Sequence, residues 1–207
     1  MANIIFDFDG TIADSFGVVV RIAADLTDSH EALKPAEVER LRGMSLLHIA
    51  RELKIKPWKV PFLLARGRRR MRREMSKVQV FQGMPETIKT LYGEGHKLYI
   101  MSSNSVQNIH LFLHRHDMLN EFIKVYGGVG LFGKARVLKK LLRQNGLDAA
   151  ATIYVGDEVR DIEAAKRAGV RILSVGWGYN TPEILSRHEP DVLTEKPADI
   201  IGAIASR

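Results

Sequence analysis

Thr152-Ile-Tyr-Val-Gly156-Asp157-Glu-Val-Arg-Asp161-Ile-Glu-Ala-Ala-Lys-Arg-Ala-Gly169-Val-Arg-Ile-Leu-Ser-Val175 is the stretch that decides the fold. Residues 152–155 form a short apolar run without polar alternation, which reads as a strand buried on both faces. Residues 159–168 then place apolar side chains at helical spacing, and 170–175 return to a strand-like run. Strand, helix and strand over so few residues reads as a βαβ unit, whose helical crossover allows its two strands to run parallel.

The same alternation extends outward in both directions. Further strand-like runs lie at 4–8, 97–101 and 122–126, and helix-like stretches at 85–92, 106–114 and 135–144. The predicted fold is therefore α/β: a Rossmann-like, doubly wound parallel sheet. Residues 15–79 break the pattern, with helical patches at 18–26, 36–42, 46–53 and 60–75 and no convincing strand. Pro35 suits a helix start, and Gly43 and Pro57 punctuate boundaries. The expected organisation is a core of residues 1–14 and 80–207 carrying an inserted helical cap, 15–79.

Charge follows the same division. The chain of 207 residues has 31 Lys and Arg against 24 Asp and Glu, a net charge of +7. The segment 15–79 holds 15 basic and 7 acidic residues and the remainder 16 and 17, so the excess lies wholly in the insert. There are no cysteines, which excludes disulfides, thiolate catalysis and cysteine zinc sites. The opening Met1-Ala-Asn-Ile-Ile-Phe-Asp7 has no basic n-region, and no apolar run approaches membrane-spanning length. A cytoplasmic protein with no membrane association is the expectation.

In a parallel α/β sheet, ligands bind beyond the carboxyl ends of the strands. Here those ends read Asp7-Phe-Asp9-Gly10-Thr11, Ser102-Ser103-Asn104 and Gly156-Asp157-Glu-Val-Arg-Asp161, with Lys134 opening the helix after the third strand. Carboxylates gathered in one pocket repel unless a cation or shared proton offsets them. Oxygen ligands without sulfur or imidazole suit Mg²⁺, while the serines, the lysine and loop amides suit a phosphate. Asp7 and Asp9 are two apart and lie on the same side of an extended backbone, so one can attack phosphorus while the other handles the leaving group's proton. The pattern points to phosphoryl chemistry.

Asp7-Phe-Asp-Gly-Thr-Ile-Ala-Asp-Ser15, Ser102 after Leu98-Tyr-Ile-Met101, Lys134, and Gly156 to Gly169 resemble, in order, the four motifs of the haloacid dehalogenase-like (HAD) superfamily. Asp14-Ser15 and Trp177-Gly-Tyr-Asn180 are similar to its phosphoglycolate phosphatase-like branch. The resemblance implies that Asp7 is the nucleophile, forming an aspartyl-phosphate, and Asp9 the general acid and base. It implies phosphate binding by Ser102 and Lys134, assisted by amides near Gly10 and Ser103. Mg²⁺ would be held by Asp7, Asp157, the Asp9 carbonyl and, in or just outside its shell, Asp161. Asp9 is absent from family dehalogenases and phosphonatases, so C–halogen and C–P cleavage are disfavoured. The implied activity is hydrolysis of a small phosphorylated metabolite, with phosphoglycolate the leading substrate, by a monomer or homodimer.

Several residues carry a second reading. Arg42, before Gly43-Met-Ser45, either meets a substrate carboxylate or second phosphate, or is a helix's last-turn cation. Gly128 to Ala135 is a near-miss for a nucleotide-binding loop, lacking the hydroxyl residue after Lys134. Glu158 is expected to be merely solvated. His110, His114 and His116 read as a partly exposed helix surface. Arg66, Arg68, Arg69, Arg70, Arg72, Arg73 and Lys77 read as a solvated face or a cap interface; with no aromatic among the arginines, nucleic acid is disfavoured. A sugar phosphomutase resembling β-phosphoglucomutase is the alternative within the superfamily. Against it, 16–20 lacks a histidine and Leu46, not arginine, follows Ser45. A binding module that uses the arginine-rich helix is the alternative outside it.

Overall fold

The computed structural model describes residues 1–27, 38, 40–42, 44, 56, 60–130 and 133–205. A six-stranded parallel sheet runs through the molecule in the order β5-β4-β1-β6-β7-β8. Its strands are β1 Asn3–Phe6, β4 Lys97–Met101, β5 Phe122–Tyr126, β6 Thr152–Gly156, β7 Arg171–Val175 and β8 Val192–Thr194. β1 lies between β4 and β6, pairing Ile5 with Tyr99 on one side and with Tyr154 on the other. The chain builds one half outward from β1 to the β5 edge, then crosses to β6 and builds the other half. The crevice where ligands bind in such sheets lies at that reversal, at the carboxyl ends of β1, β4 and β6.

The period of two along each strand separates two cores. Ile4, Phe6, Leu98, Ile100, Ile153, Val155, Leu173 and Val175 point to one face. There they meet Ile88 and Leu91 of α3 (Met84–Gly93), Ile109, Phe112 and Leu113 of α4 (Val106–Arg115), and Ile200 and Ile204 of α8 (Asp199–Ala205). Ile5, Tyr99, Met101, Tyr154 and Ile172 point to the other. They meet Leu138, Leu141 and Leu142 of α5 (Lys134–Asn145), Ile162 and Ala165 of α6 (Val159–Ala168), and Leu185 of α7 (Pro182–Arg187). Each fully buried aliphatic side chain contributes about 1.5–3 kcal/mol, so burial on both faces makes this sheet the stable frame of the molecule.

Strand β1 stops at Phe6 rather than continuing to residue 8. Asp7 N still bonds the Val155 carbonyl at 2.8 Å, but the Phe8 carbonyl accepts from the amides of Thr11, Ile12 and Ala13, which folds the chain back. Gly10, at φ +81°, makes that reversal possible. The turn leads into β2 (Ala13–Asp14), which pairs antiparallel with β3 (Gln79–Val80). These two-residue strands, too short to be legible by pattern, bring together the chain on either side of segment 15–79.

Within that segment α1 (Phe16–Thr27) packs on α2 (Val60–Glu74), which a 3₁₀ turn, Met75–Lys77, follows. Of the patch expected at 36–42, residues 38 and 40–42 are described, and 38, 40 and 41 are helical; the patch expected at 46–53 lies wholly outside the described residues. Met71 of α2 is buried, whereas Arg66, Arg69, Arg70, Arg72 and Arg73 are exposed and Arg70 pairs with Asp25 at 2.5 Å. The exposed arginines agree with the solvated-face reading. No helix among the described residues is long and apolar enough to cross a membrane.

Candidate active site

The site is assembled by three strand ends and one helix start. β1 delivers Asp7, β4 delivers Ser102, β6 delivers Asp157, and Lys134 is the first residue of α5. Asp7, Asp157 and Asp161 are all buried and each offers an oxygen within 4.8 Å of the others. The Lys134 amine lies 2.6 Å from Asp7 Oδ2 and also bonds Asp161 Oδ1. Burial by itself would lower the Lys134 pKa, but the Asp161 and Asp7 carboxylates more than reverse this, and the amine stays charged. That engagement with carboxylates is unlike the phosphate cradle of a nucleotide-binding loop, despite Gly133 at the helix start.

Asp157 is the most constrained of the acids. Its Oδ1 accepts from Thr11 Oγ1 and its Oδ2 from the Tyr179 amide, both at 2.7 Å. A Cβ on Gly178 would lie 2.5 Å from its Cγ, so this loop abuts the carboxylate with no room for a side chain at 178. Burial pushes the Asp157 carboxyl well above its usual range, and the charges of Glu158, Asp7 and Asp161 add to the rise. Burial likewise raises Asp161, to about 6, although Lys134 opposes it. Asp161 also caps α6 by accepting from Glu158 N at 3.1 Å.

Asp9 faces a different way. Asn104 Nδ2 reaches its two oxygens at 3.3 and 3.0 Å, and its carboxylate does not belong to the Asp7–Asp157–Asp161 cluster. Burial pushes its pKa up to about 6, with the Asp7 charge adding to the rise and hydrogen bonds from Ser15 and Asn104 opposing it. Two neighbouring aspartates thus have separate surroundings, one beside a lysine and one beside an amide. Differing environments for paired carboxyls are what a division into nucleophile and proton carrier requires.

The buried Ser102 hydroxyl accepts from Asn104 N at 3.0 Å, leaving its own proton to donate. Ser103 is half-buried beside it. The Gly10 amide donates to the Ala13 carbonyl at 2.9 Å, so in this conformation Gly10 shapes the turn against Asp157 rather than presenting its amide to an anion. Arg42 Nη1 donates to the Gly178 carbonyl at 3.0 Å, and its guanidinium lies over the Phe16 ring at 4.7 Å.

Glu158 is not solvated. It is 6% exposed and bonds the Arg160 guanidinium through both Nε (2.9 Å) and Nη2. Its position beside the helix start folds the side chain inward, where an arginine offsets its charge. Burial acts to lower the Arg160 pKa, but Glu158, Asp161 and Asp7 outweigh it. Arg160 is thus a second cation of the site, together with Lys134. Thr11, Asn104 and Tyr179 also escaped the sequence reading as site residues, although each stands inside a stretch that reading singled out.

The donor set fits a hard divalent cation. Three buried carboxylates and a buried glutamate meet two cations, so the acids outnumber the basic groups beside them. Among the described residues no histidine joins the cluster, and oxygen-only ligands suit Mg²⁺.

Sequence comparison agrees with this geometry. Residues 4–175 match the family described as haloacid dehalogenase-like hydrolase. The chain is 37% identical over 206 residues to a phosphoglycolate phosphatase of Synechococcus elongatus, covering 99% of this chain and 97% of that one. It is 28% identical to a 5'-nucleotidase of Pseudomonas aeruginosa, covering 91% and 88%. A haloacid dehalogenase-like family hydrolase from Streptococcus pneumoniae superposes with a TM-score of 0.80 at 20% identity, covering 98% of each chain, a likeness of fold.

Proposed function

Because this chain belongs to the haloacid dehalogenase-like hydrolases, we propose that it is a Mg²⁺-dependent phosphatase acting on a small phosphomonoester, with phosphoglycolate the leading substrate. The observation that carries the reading is the buried contact of Lys134 with Asp7 and Asp161 beside Asp157, at the carboxyl ends of the central strands. The identity to a phosphoglycolate phosphatase along nearly the whole chain supports the choice of substrate.

In this mechanism Asp7 is the nucleophile. Its Oδ1 accepts from the Phe8 amide at 2.7 Å and its Oδ2 from Lys134, which orients the carboxylate without a side-chain rotamer search. Attack on phosphorus gives an aspartyl-phosphate and expels the alkoxide, which takes its proton from Asp9. Asp9 then accepts a proton from water as the water hydrolyses the acyl phosphate. A pKa near 6 lets Asp9 serve in both directions. Ser102, Ser103 and Lys134 bind phosphate oxygens. Mg²⁺ would be held by the Asp7 and Asp157 carboxylates and the Asp9 carbonyl, with Asp161 at the edge of the set, and supplies charge neutralisation to the transferring phosphoryl group. Segment 15–79 acts as a cap that excludes water during chemistry.

The test is phosphate release from a panel containing phosphoglycolate, sugar phosphates and nucleoside monophosphates, with Mg²⁺, EDTA and Asp7→Asn controls. Hydrolysis lost in both controls supports the mechanism, and the preferred ester identifies the substrate. Isomerisation of a sugar phosphate without release would instead favour a mutase. No turnover of any ester by folded, Mg²⁺-supplied protein overturns the reading.

A further inference from the structure

Arg42 lies in the inserted segment, yet its guanidinium reaches the shell of Asp157. Its Nη1 bonds the Gly178 carbonyl at 3.0 Å, and the amide of the next residue, Tyr179, bonds Asp157 Oδ2 at 2.7 Å. A second path runs in parallel: the Arg42 guanidinium covers the Phe16 ring, whose centroid lies 5.0 Å from that of Tyr179 in an edge-on arrangement. The Tyr179 hydroxyl meets Ser15 Oγ at 2.9 Å, and Phe16, Leu41 and Tyr179 share one buried apolar cluster. Asn180 completes the loop, its amide bonding the Asp157 carbonyl at 3.2 Å and its side chain accepting from Val159 N at 2.9 Å.

We propose that Arg42 is a positioning residue: with Phe16 it clasps the 178–180 loop onto Asp157, so that docking of the inserted segment tightens the metal-binding carboxylate. This rests on the Mg²⁺ reading above. Asp157 has no freedom to compensate, because Gly178 already abuts its side chain and its two oxygens are committed to Thr11 and Tyr179. A guanidinium suits the task better than an ammonium, since it can stack flat on Phe16 while an edge N–H reaches a carbonyl. Outer-shell partners that orient a metal ligand alter affinity about 10- to 100-fold when removed.

The experiment is calorimetric titration of Mg²⁺ into substrate-free wild-type, Arg42→Met, Arg42→Lys and Phe16→Leu proteins, with KM for the preferred ester measured at saturating Mg²⁺. The expected result is Mg²⁺ affinity weakened about tenfold in Arg42→Met and to a smaller degree in Phe16→Leu, with KM within about twofold of wild type. Arg42→Lys should recover part of the loss. If Arg42 instead reads the substrate, Arg42→Met raises KM and leaves Mg²⁺ binding unchanged, which overturns the clasp. Unchanged Mg²⁺ affinity in both Arg42→Met and Phe16→Leu overturns it as well. Should Arg42→Met fail to fold, Phe16→Leu decides by the same readout. No Mg²⁺ binding by the wild type would overturn the metal reading and the clasp together, whereas Mg²⁺ binding that weakens in Arg42→Met, with no turnover of any ester, would support the clasp and overturn the phosphatase reading.

Discussion

Lys134 Nζ and Asp7 Oδ2 are 2.6 Å apart at 5% and 2% side-chain exposure, 127 residues distant in sequence. The lysine opens the crossover helix α5 and the aspartate directly follows the central strand β1, so the pair ties that helix to the middle of the sheet as well as joining two parts of the chemistry. Removing Lys134 leaves Asp7 and Asp161 buried without that cation, whereas removing Asp7 leaves Lys134 paired with Asp161.

Lys134→Met keeps most of the length and the apolar stem of the side chain and removes the ammonium group that donates to Asp7 and Asp161. Stability measured by urea denaturation in EDTA should fall by about 3–5 kcal/mol, the cost of an uncompensated buried charge. In the double variant Asp7→Asn/Lys134→Met the loss should be smaller than the sum of the single losses, since the orphaned Asp7 charge is gone. Strict additivity would show that the pair is not coupled.

Asp7→Asn preserves shape but not the nucleophilic charge. Turnover should drop at least about a thousandfold, while the melting temperature stays within a few degrees of wild type. Substantial residual hydrolysis would mean that a different group attacks phosphorus.

Gly178→Ala and Gly17→Ala are the same chemical change with opposite expected signs. A Cβ at 178 overlaps the Asp157 side chain, whereas one at 17 meets nothing within 4 Å. Gly178→Ala should cost about 1–3 kcal/mol through overpacking and reduce turnover at least about tenfold. Gly17→Ala, near the start of α1, should be neutral or stabilising by up to about 1 kcal/mol. Thermal melts of the two variants, run side by side with activity assays, check the contrast.

His116 supplies a pH dependence outside the site. Burial holds its pKa below 6.5, Arg115 lowers it further, and the Val78 backbone and Asp117 oppose the shift. Its Nε2 is buried without a hydrogen-bond partner, and the ring packs 4.5 Å from Phe112. The unfolded chain therefore takes up the proton first. The native state is unaffected above pH 6.5 and loses stability as pH falls from 6.5 through the lower native value. In His116→Gln the decline in melting temperature between pH 7.5 and 5.5 should be shallower than in the wild type, and an identical decline would exclude His116 as its source.

Much of the core could be read directly. The strands at 97–101 and 122–126 and the helix at 159–168 agree with β4, β5 and α6 to the residue, because mainly apolar runs and helical spacing are local patterns that tertiary packing reinforced. β8, Val192–Thr194, and the β2–β3 pair were not legible. At three and two residues they carry no periodicity, and they exist because a neighbour offers hydrogen bonds: Leu173 to Val175 for β8, and each other for β2 and β3.

The candidate site divides in the same way. The sequence by itself determined that Asp7, Ser102 and Asp157 stand where apolar runs give out, because such runs are local, although it carried the first run to residue 8, past the observed end at Phe6. It also placed Lys134 and Asp161 in the first turns of their helices. Only the tertiary structure decided what those groups do to one another. Lys134 turned to Asp7 and Asp161, Asp9 to Asn104, Glu158 inward to Arg160, and Arg42 to the Gly178 carbonyl. Charge state and partnership depend on distance and burial, and both arise from contacts between segments that are remote along the chain.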